Sequence, residues 1–137
     1  MKTSVFGHSL AEKLLTHPVR LQRLEGLILF AAGFYSWLFL DGSWWLFLLL
    51  LLTPDISMLG YVFNSRIGAA IYNLFHSYPL PTVLLVAGLW LNIPMLSFAG
   101  VLFLAHIGWD RMLGYGLKLP SSFQDTHLGH IGKGGIG

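Results

Sequence analysis

Four side chains with metal-binding chemistry lie within the apolar part of the chain: Asp55, His76, His106 and Asp110. His106 and Asp110 are four residues apart, so on a helix they share one face about one turn apart. Such an i, i+4 pair can bind one cation with both side chains. Imidazole and carboxylate ligands suit zinc, manganese or iron, and suit magnesium less well. The sequence therefore predicts a divalent metal site in which these four residues are the ligands.

Glu25, near the start of the first long apolar run, is a fifth candidate. We predict that it is a further ligand or the general base of a reaction, because a bound metal ion lowers the pKa of its water toward about 7 and a nearby carboxylate can accept the proton. A purely structural interpretation stays open, in which the acidic groups pair with neighbouring arginines: Glu25 with Arg20 or Arg23, and Asp110 with Arg111 or Arg66.

Other polar residues are weaker candidates for a role in the site. Arg66 and Arg111 are expected to anchor lipid headgroups, although an arginine beside a metal can also hold a phosphate. In the tail, Asp125, His127 and His130 could close over the site, but a solvated tail is the simpler expectation.

The composition restricts what can position these groups. Of 137 residues, 55% are hydrophobic and 10% are charged, whereas a typical soluble domain has about 25% charged residues. The chain has no cysteine, which excludes disulfides and thiolate metal sites. The net charge is only +2 and no dense Lys/Arg run is present, so we expect no nucleic-acid partner. The composition instead predicts an all-α integral membrane protein whose partner is membrane lipid.

Four stretches are apolar enough to cross a membrane, the third of them only with its flanks: 24–40, 44–63, 80–91 and 94–113. Crossing a ~30 Å hydrocarbon core takes about 20 helical residues. Short connections at 41–43 and 92–94 predict two antiparallel hairpins. Between the hairpins, a helix capped by Asn64 or Ser65 must end before Pro79 and is too short to cross. The sequence predicts a four-helix membrane bundle with a short interfacial or re-entrant helix between spans two and three.

The basic residues predict the orientation. With four crossings, all eight of them lie on the same side: Lys2, Lys13, Arg20, Arg23, Arg66, Arg111, Lys118 and Lys133. A fifth crossing would move three of the eight outside. The positive-inside rule therefore predicts both termini in the cytoplasm. Residues 1–23 are predicted to form a cytoplasmic segment with a short surface helix at 10–15, residues 24–117 the membrane domain, and residues 118–137 a glycine-rich cytoplasmic tail. Five glycines in the last nine residues, 129–137, predict a flexible end without a packed role.

One of the crossings is interrupted by proline. Pro54 removes a backbone donor and frees the carbonyl of Leu50. We predict that Thr53 caps a restarted helix with Pro54 and Asp55 in its first turn. Glycines within the spans, such as Gly33 and Gly88, are predicted to permit close helix packing, and they also permit a homo-oligomer.

Six motifs resemble domain of unknown function family 4260, a group of small bacterial integral membrane proteins: RLEG at 23–26, PDISMLGY at 54–61, YNLFHSY at 72–78, HIGWDR at 106–111, GYGLK at 114–118 and FQDTHLG at 123–129. The resemblance covers about residues 20–132. It implies a bacterial inner-membrane location and leaves the activity open.

The order of the polar residues is also similar to the YdjM-like membrane-bound metal-dependent hydrolases. That resemblance implies metal ligands at Asp55, His76, His106 and Asp110. The chain departs from the pattern in two places. It has Ser57 and Met58 where that group has an acidic residue, and it offers Glu25 where that group has an early histidine.

These observations lead to three hypotheses of function. The first is a metal-dependent hydrolase of a lipid or lipid-linked ester near the cytoplasmic face. The second is a transport or proton-relay protein that uses the same residues, although the outer half has almost no polar side chains. The third is a scaffold in which the polar cluster only holds the helices together.

Overall fold

A computed structural model describes residues 9–132, which are mostly helical. The elements, in chain order, are α1 (Leu10–Leu15), α2 (Pro18–Phe39), α3 (Trp44–Leu50), a 3₁₀ segment (Thr53–Val62), α4 (Ser65–Phe75), α5 (Pro79–Leu91), α6 (Pro94–Leu113), β1 (Asp125–Thr126) and β2 (Gly129–His130). The all-α prediction is confirmed apart from this two-stranded hairpin. Lys2 and Lys133, two of the basic residues used for orientation, lie outside the described residues.

The predicted short connections are confirmed by two left-handed turn residues. Asp41 follows α2 with φ 63° and Asn92 follows α5 with φ 54°. Aspartate and asparagine adopt this conformation more readily than other non-glycine residues, so each can end a helix and reverse the chain. The first turn is closed further by the Trp37 indole N–H, which donates to the carbonyl of Ser43 at 2.9 Å.

Helix α6 lies at the centre, with α2 on one side and α5 on the other. Glycines allow the backbones to approach closely: a Cβ at Gly108 would lie 2.6 Å from the backbone nitrogen of Phe30, and one at Gly33 would lie 2.7 Å from the Ala105 Cβ. The predicted packing role of the span glycines is confirmed. The adjoining core comprises Trp37, Phe47, Leu51, Val101, Leu102 and Ala105.

The helices around the proline break differ in detail from the prediction. The α-helical part of this stretch ends at Leu50, and Thr53–Val62 continues as a 3₁₀ segment of ten residues. Runs of this kind rarely exceed 3–4 residues and often mark functional positions. Thr53 does not cap it. Its hydroxyl donates to the carbonyl of Leu50 at 2.7 Å, which is the carbonyl that Pro54 leaves without a helical donor.

Helix α4 packs against the 3₁₀ segment that precedes it in the chain. Asn64 caps it as predicted, because the Asn64 side chain accepts from the backbone N–H of Ile67 at 2.9 Å. The helix has 11 residues, which corresponds to about 16 Å at 1.5 Å per residue. This length agrees with the short helix predicted between spans two and three.

The prediction of an end without a packed role was wrong for Gly129 and His130, which form a paired strand. Strands β1 and β2 pair, and Lys118 forms an isolated bridge with Thr126. Asn73 fastens this region to α4, since its amide donates to the Lys118 carbonyl and its carbonyl oxygen accepts from the Lys118 N–H, at 2.8 and 2.7 Å. The glycines of 129–137 suggested a free end, but these contacts give part of that end a packed role.

Two stretches of the described chain are long and apolar enough to cross a membrane by length and composition, Trp44–Val62 and Ser65–Leu91. The second combines α4 and α5. Only 22% and 17% of their apolar windows are buried inside the protein. Most of this apolar surface therefore faces outward.

Candidate metal centre

The four predicted ligands converge on one point. Among the described residues, Asp55, His76, His106 and Asp110 each offer one ligand atom, and these atoms lie within 4.8 Å of one another. The two imidazole Nε2 atoms are 3.0 Å apart. Asp55 Oδ1 lies 3.1 Å from the His76 Nε2 and 3.3 Å from the His106 Nε2. Asp110 Oδ2 lies 3.7 and 3.4 Å from the same two nitrogens.

These separations have the size expected around a tetrahedral cation. Bonds of about 2.0–2.1 Å from zinc to imidazole nitrogen or carboxylate oxygen place neighbouring ligand atoms about 3.3–3.4 Å apart, because a tetrahedron's edge is about 1.63 times its centre-to-corner distance. The five separations range from 3.0 to 3.7 Å. A cation at the centre would need only small side-chain adjustments.

Both imidazoles have the same hydrogen-bonding arrangement. The Nδ1–H of His76 donates to the Tyr72 carbonyl at 2.8 Å, and the Nδ1–H of His106 donates to the Leu51 carbonyl at 2.7 Å. A carbonyl can only accept, so each Nδ1 carries a proton. In the neutral rings both Nε2 atoms then present lone pairs to each other. This is the orientation that metal-bound histidines adopt, with the second ring nitrogen fixed by a backbone carbonyl.

The proline break supplies one of these carbonyls. In an uninterrupted α-helix the Leu51 carbonyl would accept from the N–H of Asp55, four residues on. Here the Asp55 N–H instead donates to the Leu52 carbonyl at 3.1 Å. The Leu51 carbonyl is therefore free to fix His106, and the same local change of winding presents Asp55 to the cluster.

Helix α4 positions His76 at its last turn. The His76 N–H donates to the Tyr72 carbonyl, and the Tyr72 ring stacks on the His76 imidazole with centroids 3.6 Å apart and planes 9° apart. The Tyr72 hydroxyl donates to Asp110 Oδ2 at 3.2 Å. Tyr72 therefore contacts one histidine and one carboxylate of the cluster. Sequence analysis missed this role, although the i, i+4 spacing of Tyr72 and His76 was a signal for it.

The cluster opens on one side. His76 and His106 are fully buried and Asp110 is 7% exposed, whereas the Asp55 side chain is 28% exposed. Asp55 also lines an open groove of about 590 Å³ whose other walls are Ile56, Met58, Leu59, Tyr61 and Val62. Water and a ligand can thus reach the cluster from the Asp55 side, along an apolar surface.

The remaining candidates lie elsewhere. Glu25 is outside the four-residue group and lines a different pocket, together with Arg111 and His127. Asp125 pairs with His130 at 2.7 Å. The hydrogen bond from Ser121 is the main reason that the pKa of Asp125 is lowered. The tail residues therefore do not join the group, and Asp110 faces the imidazoles and Tyr72.

Arg111, predicted to be an interfacial anchor, is buried, and so is a second basic residue, Lys118. Arg111 is 5% exposed and donates to the carbonyls of Tyr115 and His76 at 2.7 and 3.0 Å. Lys118 is 4% exposed, donates to the Phe123 carbonyl, and lies 3.9 Å from the Phe123 ring centroid. Burial lowers the pKa of Lys118. The sequence around Arg111 and Lys118 gave no signal that these two side chains would be buried.

The chain belongs to the family described as domain of unknown function DUF4260, which matches residues 19–131. The resemblance predicted from the six motifs is confirmed. No curated protein matches the chain, and no solved structure does.

We predict that purified protein supplied with zinc or manganese binds about one ion per chain. Metal content measured by mass spectrometry should fall by at least tenfold in His106→Ala and Asp55→Ala, because each substitution removes one of four ligands. His130→Ala, which removes a histidine–carboxylate pair outside the group, should keep the ion. A metal-free wild type would contradict the site.

Tyr72→Phe should weaken metal binding without abolishing it. Removing the hydroxyl that orients Asp110 should lower the affinity by about 10- to 100-fold, the usual effect of losing an outer-shell partner. Competition with a chromogenic chelator measures the change. Tyr61→Phe is the matched control, since the buried Tyr61 hydroxyl has no hydrogen-bond partner among the described residues. Equal affinities in the two variants would argue against a role for Tyr72.

Proposed function

We propose that this protein is a multi-pass inner-membrane hydrolase that uses a divalent metal to cleave a lipid or lipid-linked ester near the cytoplasmic face. The opposed Nε2 atoms of His76 and His106, 3.0 Å apart, are the observation that carries the proposal. Zinc, manganese or iron suits the two imidazoles and two carboxylates. Such an ion polarises an ester oxygen and makes its bound water a nucleophile near neutral pH.

The chain's own residues would divide the work. His76 and His106 are fixed by backbone carbonyls and serve only as ligands. Asp110 is fixed by Tyr72. Asp55 is the carboxylate that reaches the open groove, so in turnover it would leave the fourth coordination position to a water and accept that water's proton, with the other three residues as ligands. We therefore assign the base to Asp55 and give Glu25 no ligand role, because it lines another pocket.

The exposed apolar surface supports a membrane location. Large apolar side chains on several helices are more than three-quarters exposed: Phe39, Val62, Trp90 and Met95. Soluble monomers rarely expose contiguous apolar patches above a few hundred Å². In a bilayer this surface meets lipid. We propose crossings by α2, by α3 with the 3₁₀ segment, by α5 with its flanks and by α6, with both termini in the cytoplasm.

The groove beside Asp55 supports a lipid substrate. It is an open surface groove whose lining residues all belong to the 3₁₀ segment. Its walls are mostly aliphatic, and Ile56, Leu59 and Val62 are at least 64% exposed. A chain that lies along this groove from the bilayer would bring its ester to the one open side of the cluster.

A proton relay is the alternative that this geometry also favours. Two imidazoles and two carboxylates in mutual contact could pass protons, and a proton shared between the Nε2 atoms would also relieve their opposition. Metal content distinguishes the two proposals, because a relay needs no ion.

Hydrolysis is tested with p-nitrophenyl esters of butyrate, octanoate and palmitate, together with p-nitrophenyl phosphate, in mixed micelles. We expect metal-dependent release of p-nitrophenol that falls at least ~100-fold in His106→Ala, because the nucleophile is then lost. His130→Ala, which lies outside both the ligand group and the groove, should retain most of the rate. Metal-loaded protein without turnover of any of these, or turnover that survives chelation, would reject this activity.

The topology is tested by single-cysteine labelling, which the absence of native cysteine makes clean. A membrane-impermeant maleimide should label Ser43→Cys, in the α2–α3 turn, from outside intact spheroplasts. It should label Gln124→Cys, on the exposed surface of the tail, only in inverted vesicles. Reversed labelling would invert the orientation, and labelling of both sites in spheroplasts would exclude the odd number of crossings proposed between them.

A further inference from the structure

A small polar pocket is connected to the cluster through Arg111, which lines the pocket and donates to the His76 carbonyl. The pocket has a volume of about 160 Å³ and is lined by Gln22, Glu25, Ser77, Tyr78, Arg111, Leu117 and His127. This is smaller than the ~300 Å³ of the smallest usual pockets for drug-sized ligands. It suits a group of headgroup size.

Arg111 provides a buried positive charge for this pocket. Its guanidinium is hydrogen-bonded to two neutral carbonyls, those of His76 and Tyr115. Among residues 9–132, no carboxylate oxygen is found within 4.0 Å of it. These two bonds use two of the five N–H donors of the guanidinium. A buried charge without an opposite charge is costly, and an anion in the pocket would offset that cost.

His127 adds a neutral donor. Its Nδ1 accepts from the backbone N–H of Leu117 at 2.8 Å, so in the neutral ring the proton is on Nε2. Burial, and then the nearby positive charge of Arg111, lower the pKa of His127 and keep the ring neutral at pH 7. Ser77 contributes a hydroxyl to the lining, and the buried Oε1 of Gln22 has no hydrogen-bond partner among the described residues.

We infer that this pocket binds a phosphoryl group, held by the guanidinium of Arg111 with donors from His127 and Ser77. Arginine's planar fork matches the oxygens of phosphate, and charge-assisted bonds of this kind are the strong ones. Glu25 is the opposing carboxylate in the lining. It is exposed to solvent, so it can turn away from an anion or pair with a cationic group that accompanies the phosphate.

Phosphate binding in this pocket would define the substrate class of the hydrolase, and this catalytic role rests on the proposed function. Arg111 follows the ligand Asp110 in α6 and holds the carbonyl of the ligand His76. A phosphoryl group bound here would therefore sit beside the elements that carry two ligands. If the enzyme proposal holds, the substrate is a lipid ester that bears a phosphate. Binding of the phosphate itself does not require the metal.

The test is calorimetric titration of chelator-treated, detergent-solubilised protein with two probes, inorganic phosphate and dihexanoyl phosphatidic acid, with dihexanoylglycerol as the phosphate-free control. We expect binding of at least one phosphate probe and none of the control. Binding of the lipid alone assigns a headgroup, binding of inorganic phosphate alone assigns free phosphate, and binding of both assigns the phosphoryl group common to them.

Variants of the lining residues test whether the phosphate binds in this pocket. Arg111→Gln should weaken binding at least tenfold and His127→Ala severalfold, in line with losing a charged and a neutral hydrogen bond. Arg23→Gln is the matched control: Arg23 also donates to a backbone carbonyl, that of Met112, but is exposed and outside the pocket lining. If Arg111→Gln does not fold, His127→Ala and Ser77→Ala carry the test.

Asp55→Ala separates this inference from the metal proposal. It lacks a metal ligand but leaves the pocket intact, so its phosphate affinity should stay within twofold of wild type. Wild-type protein that binds phosphate but no metal would retain the subsite and reject the enzyme. Phosphate affinity that is insensitive to Arg111→Gln and His127→Ala would place the phosphate elsewhere and overturn the inference, as would loss of affinity in Asp55→Ala or the absence of binding by both probes.

Discussion

Two imidazole nitrogens that face each other at 3.0 Å are the constraint on which the rest of this structure depends. Each ring donates its Nδ1–H to a backbone carbonyl, so neither neutral ring has a proton on Nε2 for the other. Such a contact persists only when something positive lies between the lone pairs. Asp55 and Asp110 complete a cage around the same point. The helices, the break after Leu50 and the stacked Tyr72 are best understood as the means of holding that cage together.

Two features of the fold, the interruption at Pro54 and the side chain of Tyr72, each position more than one part of the cluster. The interruption at Pro54 turns Asp55 toward the cluster and frees the Leu51 carbonyl for His106. Tyr72 fixes His76 through its carbonyl and ring, and Asp110 through its hydroxyl. Irregular backbone at membrane depth is tolerated where it is buried in protein or lines a cavity. Here its freed carbonyls are satisfied by Thr53 and His106 rather than by water.

Much of the fold was predictable because its signals are local. Apolar runs bounded by prolines and turn residues define α6 (Pro94–Leu113) as predicted, and Asn64 marks the start of α4. The four cluster residues were identifiable because ionisable groups in apolar segments need partners. The packed tail and the buried Lys118 and Arg111 were not predictable. Their contacts join residues 35 to 45 positions apart, as in Arg111–His76 and Lys118–Asn73, and no periodicity records such pairs. Glu25 fits the sequence pattern of the cluster, but its place on α2 directs it to another pocket.

The summed charge of the four side chains bears on whether the cluster is a structural polar contact or a cation site. A polar contact that only joins helices needs no more than one imidazole that donates to one carboxylate. This cluster instead places two carboxylates against two rings whose outer nitrogens are already engaged. With both carboxylates ionised, one shared proton would leave the group at a net charge of −1, and desolvating such a charge is expensive. A divalent cation brings the same four side chains to neutrality and takes up all four ligand atoms at once. The same neutrality would follow if both imidazoles were protonated, so the charge balance supports the proposed cation site and metal content distinguishes it from an ion-paired helix contact.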